Sequence, residues 1–143
     1  EQLKEHSLKR VYHAIVHGVL KEDEGTIDAP IGRHPIDRKK MNIKNKNGKE
    51  AVTHYKVIQR FKDYTYIQCQ LETGRTHQIR VHMKYLGFPL IGDYLYYPDM
   101  QLIKRQALHS HRLVFRHPMT GAPMEFVAQL PEDMRQVITA PSV

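Results

Sequence analysis

YTYIQCQLETGRTHQIRVHMKYLG (64–87) changes its apolar period in the middle, and that change decides the fold. In YTYIQCQLE (64–72) the residues alternate: Tyr64, Tyr66, Gln68 and Gln70 fall on one side, Thr65, Ile67, Cys69 and Leu71 on the other. This is the pattern of a strand with one face toward a core, and it makes Cys69 an inert packing residue. Across TGRTHQIRVHMKYLG (73–87) the apolar stripe is Ile79, Met83 and Leu86, at spacings of four and three, which predicts a helix. Thr73 or Thr76 suits its start, and Gly87 suits the position after its end.

Outward from this junction, strands dominate. AVTHYKVIQRF (51–61) is strand-like, and Lys62-Asp63 reads as a tight hairpin connection to the strand at 64–72. RVYHAIVHG (10–18) alternates as well, with Val11, His13, Ile15 and His17 on one face and Tyr12, Ala14 and Val16 on the other. KEDEGTIDAPIG (21–32) reads as an acidic turn and a short strand limited by Pro30. Past the helix comes a loop with Pro89, Gly92 and Pro98, then a strand around 113–115, a turn at MTGA (119–122) and a return strand over 123–130. PEDMRQVI (131–138) fits a terminal helix, with Pro131 in its first turn and acids near its positive end. The expected class is α+β: a mixed, largely antiparallel sheet with flanking helices.

The chain has 143 residues, 41% of them apolar and 26% charged, the composition of one globular domain. A single cysteine rules out an internal disulfide framework. No stretch approaches the roughly 18 apolar residues of a membrane span. The opening EQLKEHSLKR is charged and lacks a signal-peptide core, so a cytoplasmic protein is expected. There is no initiator methionine, which suggests part of a longer protein.

The net charge of +7 is concentrated. Residues 31–62 hold ten Lys and Arg against Asp37 and Glu50 only, a local +8 that leaves −1 for the rest. Within them RKKMNIKNKNGK (38–49) has six positive residues and no negative one. Such a run cannot enter a core, because unpaired buried charges are costly. It is expected to form a solvated loop or hairpin tip, with Asn45, Asn47 and Gly48 supplying turn chemistry. A solubilising surface loop and a phosphate-tracking one both fit charge alone.

The densest polar segment is the junction itself, LETGRTHQIRVHM (71–83). If Ile79 and Met83 face the core, Arg80 lies at the edge of that buried face and needs an anionic partner. Its planar fork can hold a carboxylate through two hydrogen bonds. On the residues alone an internal ion pair with no chemical role is the favoured way to meet that need. Arg75 could reach a phosphate or point to water. Ten histidines invite a metal, but His77 and His82 are five apart, and His109 and His111 lack a nameable third ligand. No serine nucleophile elbow, phosphate-cradling glycine loop or paired carboxylates occur.

LETGRTHQIRVHM, followed by GFPLIGD (87–93), resembles the RluA-type pseudouridine synthase family. KRVYHAIVHG (9–18), the basic segment 29–41, GKEAVTHYKV (48–57) and ALHSHRLVFRHPMTGAPMEFVAQLPEDM (107–134) resemble further family segments in the same order. The resemblance implies a pseudouridine synthase type fold that isomerises uridine in structured RNA, ribosomal or transfer, with no cofactor and no metal. The bond from C1′ to N1 breaks, the uracil turns, and C1′ is rejoined to C5; the base is first flipped into a pocket. Carried over, Tyr12 would pack against the uracil and assist proton removal. Arg80 would pair with the family's catalytic aspartate, and Ile79 would form part of the pocket wall. Arg33, Arg38, Lys39, Lys40, Lys44, Lys46 and Arg75 would contact RNA phosphates.

One departure follows. The family's aspartate stands in a His-Arg-Leu-Asp-x-x-Thr-Ser-Gly motif, and none of the seven aspartates (23, 28, 37, 63, 93, 99, 133) has that context. The resemblance therefore implies the C-terminal portion of one catalytic domain, truncated on its N-terminal side and inactive alone. It also implies an Arg80 without its carboxylate, in an open or solvent-filled site. Exposed edges of such a chain would favour self-association. The alternative is a non-catalytic RNA-binding module with the same surface. A metal-dependent hydrolase has little support.

Overall fold

A computed structural model describes residues 9–98 and 102–139, so the charged opening residues and Asp99 lie outside the described part. Eight strands and two helices run in the order β1 (Lys9–His17), β2 (Glu24–Asp28), β3 (Ile31–Arg33), β4 (Met41–Ile43), β5 (Val52–Arg60), β6 (Tyr64–Leu71), α1 (Gln78–Leu86), β7 (Leu108–Arg116), β8 (Pro123–Val127) and α2 (Glu132–Thr139). Six strands form one sheet in the order β2-β5-β6-β1-β7-β8, and each of its described pairings is antiparallel. The fold is α+β, as the change of period at 72–73 implies.

Alternation along β1 and β6 divides two cores between the faces of the sheet. Ala14, Val16, Ile67, Cys69 and Leu71 meet Ile79 and Met83 of α1 on one face. Ile15 and Tyr66 meet Met134 and Val137 of α2 on the other. Burial pushes the Cys69 thiol up to about 12, so it stays protonated and unreactive.

Of the two forms expected for the basic segment, loop or hairpin tip, the structure shows the hairpin. β3 and β4 pair as a small hairpin, and Asn47 takes φ 66° in the turn after it. Met41 and Ile43 on β4 pack with Ile31, Ala51, Val81 and Tyr96, while the flanking Lys40 and Lys44 are half-buried. Met41 and Ile43 alternate with Lys40, Asn42 and Lys44, the apolar–polar period of two that a short two-faced hairpin requires.

Helix α1 is thus enclosed between the sheet and this hairpin, and Gln78 through Met83 are all buried. This corrects two expectations. Leu86 is 37% exposed and does not extend the core stripe, because Val81 supplies the second contact face. Neither Thr73 nor Thr76 caps the helix: it begins after His77, held at φ 55° with no side-chain cap bond. Gly87 ends it as expected, at φ 98°, with the Phe88 amide reaching back to the Met83 carbonyl at 2.8 Å.

His13, on the α2 face of β1, is expected to make the fold acid-sensitive. Its Nδ1 pairs with the Tyr66 hydroxyl at 2.5 Å and its ring stacks on His111 with centroids 4.0 Å apart. Burial and then the neighbouring His111 push its pKa down to about 4. An unfolded histidine titrates near 6.5, so stability is fully present above that value and is lost as pH falls toward 4, where only the unfolded chain takes up the proton. The urea midpoint at pH 5 is expected below that at pH 7, with His13→Gln flattening the difference. Equal midpoints for the parent chain would refute this.

Candidate functional site

The site grows from the loop 73–77 between β6 and α1. Gln78, buried at the first turn, organises that loop through its amide. Its Oε1 accepts from the Thr73 hydroxyl at 2.8 Å and the Arg75 amide at 2.9 Å. Its Nε2 donates to the Val52 carbonyl at 3.0 Å and Thr53 Oγ1 at 2.9 Å. Four partners satisfy the amide inside the core. The chain of bonds continues, since Thr53 Oγ1 lies 2.8 Å from His82 Nδ1 and His82 Nε2 lies 2.9 Å from the Ala29 carbonyl. With Nε2 donating to Ala29, Nδ1 accepts from Thr53. His82 is a structural residue, and burial lowers its pKa.

Arg80, two residues on, has a carboxylate. Its Nε donates to Asp93 Oδ2 at 3.0 Å and its Nη2 to Asp93 Oδ1 at 2.8 Å. The pair is closed off, with Arg80 5% and Asp93 0% exposed. The expectation of a partnerless Arg80 in an open site is therefore wrong, because the loop after α1 folds back and delivers Asp93 from GFPLIGD. Asp93 Oδ1 also accepts from the Leu95 and Tyr96 amides, each at 3.1 Å, so the carboxylate is fixed before it meets the arginine. The guanidinium carbon lies 5.5 Å from the Tyr94 ring centre and 5.1 Å from that of Tyr96. Burial acts against the Arg80 charge, but Asp93 more than offsets it, so the Arg80 pKa is raised. Two of the five guanidinium N–H donors are used by Asp93, which leaves the two on Nη1 and one on Nη2 outside the pair.

Tyr12 and Ile79 are brought together around one apolar cluster, Ile79 buried within it and Tyr12 packed against it. Tyr12 is half-buried and sits at an irregularity in the β1–β7 ladder between Val11 and Tyr12. The extra residue of that bulge is His111 on β7, since Val11 faces Arg112 and Tyr12 faces Ser110, so Tyr12 itself keeps its register with β6. Arg80 instead has its described partners in the 93–96 loop. Arg10 shares the Tyr12 face of β1, and its guanidinium lies against Gly74: a Cβ there would stand 2.4 Å from Arg10 Nη1. The alternation that marks Tyr12 also marks Arg10, a signal the sequence reading left unused.

The cations divide into two groups around the β3–β4 hairpin. Arg33 and Arg75 line one cavity of about 410 Å³ together with Lys49, Gly74 and Thr76. Arg75 is aimed there by its Nε bond to the Glu50 carbonyl at 2.7 Å. Lys40 lines a second cavity of about 290 Å³ on the α1 side, with Lys84 and Tyr85. Arg38, Lys39 and Lys46 are exposed, and Lys44 lays its stem along Gly32. Lys49, Lys84 and Tyr85 join the site through tertiary proximity alone.

His77 links the two regions, with its Nδ1 2.7 Å from the Tyr96 hydroxyl, which in turn accepts from the Met41 amide at 2.8 Å. Burial, then Arg80, lowers the His77 pKa. His109 and His111 share a face as expected, and His13 joins them by stacking on His111. Stacked rings set their nitrogens side by side, and among the described residues no group of three or more His, Cys, Asp or Glu is placed to hold a metal ion. No described helix is long and apolar enough to cross a membrane.

Comparison with known proteins bears on this arrangement. The family description "RNA pseudouridylate synthase" matches residues 1–85. The chain is 55% identical over 138 residues to "Uncharacterized RNA pseudouridine synthase YlyB" of Bacillus subtilis, covering 96% of this chain and 45% of that protein. It is 45% identical over 154 residues to "Ribosomal large subunit pseudouridine synthase D" of Xanthomonas campestris, covering 98% of this chain and 46% of that one. The chain thus spans less than half the length of these curated relatives. Among solved structures, "Human RNA Pseudouridylate Synthase Domain Containing 1" superposes with a TM-score of 0.78 at 24% identity, covering 97% of this chain and 67% of that one.

Proposed function

The chain belongs to the RNA pseudouridylate synthase family, and from that premise we propose that it supplies the Tyr12–Arg80 side of a site that isomerises uridine to pseudouridine in ribosomal or transfer RNA. The observation that carries the reading is the buried Arg80, fixed by Asp93 with its Nη1 donors left over. In this reading Nη1 donates to the carboxylate of the family's aspartate motif, which these 143 residues do not contain. Asp93 holds the guanidinium while the second carboxylate works on the nucleotide. Tyr12, at the ladder irregularity, packs on the flipped uracil and takes part in removing the C5 proton, while Ile79 supports the apolar wall behind it. The RNA backbone runs over the hairpin cations Arg33, Arg38, Lys39, Lys40, Lys44 and Lys46 and over Arg75. Such a role needs neither cofactor nor metal, because substrate and product are isomers, and it places the protein in the cytoplasm with its RNA.

Rejoining C1′ to C5 expels the C5 hydrogen, so RNA tritiated at uridine C5 reports the reaction as released tritium. The chain alone is expected to bind such RNA without releasing tritium. A form that also carries the aspartate motif is expected to release it, and Arg80→Lys in that form, keeping the charge but losing the fork, is expected to abolish release. Absence of release from the motif-carrying form would refute the enzymatic reading and leave an RNA-binding module. Affinity is expected to fall roughly 10-fold or more between 50 and 200 mM salt, and Lys39→Ala with Lys40→Ala to flatten that slope by about two charges. An unchanged slope would remove the hairpin from the RNA path.

A further inference from the structure

The cavity between the β3–β4 hairpin and the C-terminal half of α1 has a construction that isomerisation does not use. Its floor is apolar: Met41, Ile43 and Val81, part of the small cluster under the hairpin. Tyr85 stands at its rim, 61% exposed, on the turn of α1 that faces away from the sheet core. Lys40 enters from the hairpin and Lys84 from the helix, and no acid lines the space. At about 290 Å³ it lies at the small end of ligand sites and suits one nucleoside. Asn42 also lines it, and the Asn42 Oδ1 is buried with no hydrogen-bond partner.

These features converge on one ligand chemistry. An exposed aromatic ring beside an apolar floor is a stacking platform for a flat base, and two lysines without acids flanking it match the phosphates on either side. A buried acceptor without a donor is unfavourable in the free protein, and a base edge carries N–H donors that could satisfy it. The amide torsion of asparagine is soft, so Oδ1 can turn toward such a donor. We propose that this cavity is a subsite for a single unpaired RNA base, separate from the base being isomerised: it stacks on Tyr85, is read at its edge by Asn42, and has its phosphates on Lys40 and Lys84. The subsite rests on the RNA-acting reading above and extends it to a second nucleotide. It requires the target to present an unpaired base outside the reacting one.

The test uses the 143-residue chain with single-stranded hexa-adenylate, a blunt RNA duplex and inorganic polyphosphate at fixed salt. Tyr85→Ala is expected to weaken hexa-adenylate binding about tenfold, to leave polyphosphate and duplex within about twofold, and to be rescued by Tyr85→Phe. Asn42→Ala is expected to weaken hexa-adenylate binding while leaving the urea midpoint unchanged or higher, since it removes an unsatisfied buried acceptor. A purely structural Asn42 would lower the midpoint. Equal losses for all three probes with Tyr85→Ala, or no loss for any, would overturn the subsite. Failure of the parent chain to bind any RNA would instead overturn the RNA-acting reading on which it depends.

Discussion

Asp93→Ala is expected to lower the unfolding free energy by about 3–5 kcal/mol, the cost of leaving a buried charge without its partner. Arg80 would be left enclosed with its Nε and Nη2 donors unmet, and the Leu95 and Tyr96 amides would lose their acceptor at the same time. Urea denaturation followed by far-ultraviolet circular dichroism measures the loss. The double substitution Arg80→Met with Asp93→Leu separates charge from packing. It removes both ends of the pair and is expected to recover the part lost to the stranded charge but not the part lost with the Leu95 and Tyr96 acceptor. An Asp93→Ala protein as stable as the parent would mean that the pair is open to water, contrary to its burial. The same reasoning makes Arg80→Lys a better activity probe than Arg80→Ala, which would strand Asp93 in turn.

Gln78→Ala is expected to cost about 3 kcal/mol, because four hydrogen-bonding groups lose a partner at once and some of them are buried. Its more informative effect is on the surface. The Arg75 amide is held by Gln78, and Arg75 belongs to the cavity that also holds Arg33 and Lys49. Releasing the loop should therefore reduce the salt dependence of RNA binding by about one charge, measured at a temperature where the variant remains folded. Gln78→Glu keeps both acceptor contacts but loses the two Nε2 donations, so it should keep the Arg75 geometry at reduced stability. A Gln78→Ala variant with the parent's salt slope would show that Arg75 is positioned by its Glu50 bond alone.

The elements whose limits were legible in the sequence are those made by local alternation. β1 and β6 follow from period-2 patterning, and so do the two cores, because residues of opposite parity must lie on opposite faces. The start of α1 was not legible. Thr73 and Thr76 are good capping residues, yet the loop is organised by Gln78, whose partners Val52 and Thr53 lie 25 or more positions away. Leu86 was misassigned for a related reason: the α1 stripe predicts one buried face, while the hairpin creates a second that selects Val81.

For the site, the sequence alone established a need and the tertiary structure filled it. A lone arginine on a buried helix face must find an anion, and a run of six cations must stay at the surface; both follow from the cost of burying unpaired charge. The anion's identity was decided by the return of the 87–98 loop, which sets Asp93 against Arg80 thirteen positions further on. The placing of Arg33 and Lys49 in one cavity and Lys40 in another was decided by the hairpin's docking on α1. Periodicity is carried by each segment separately, whereas an ion pair or a cavity exists only where separate segments meet.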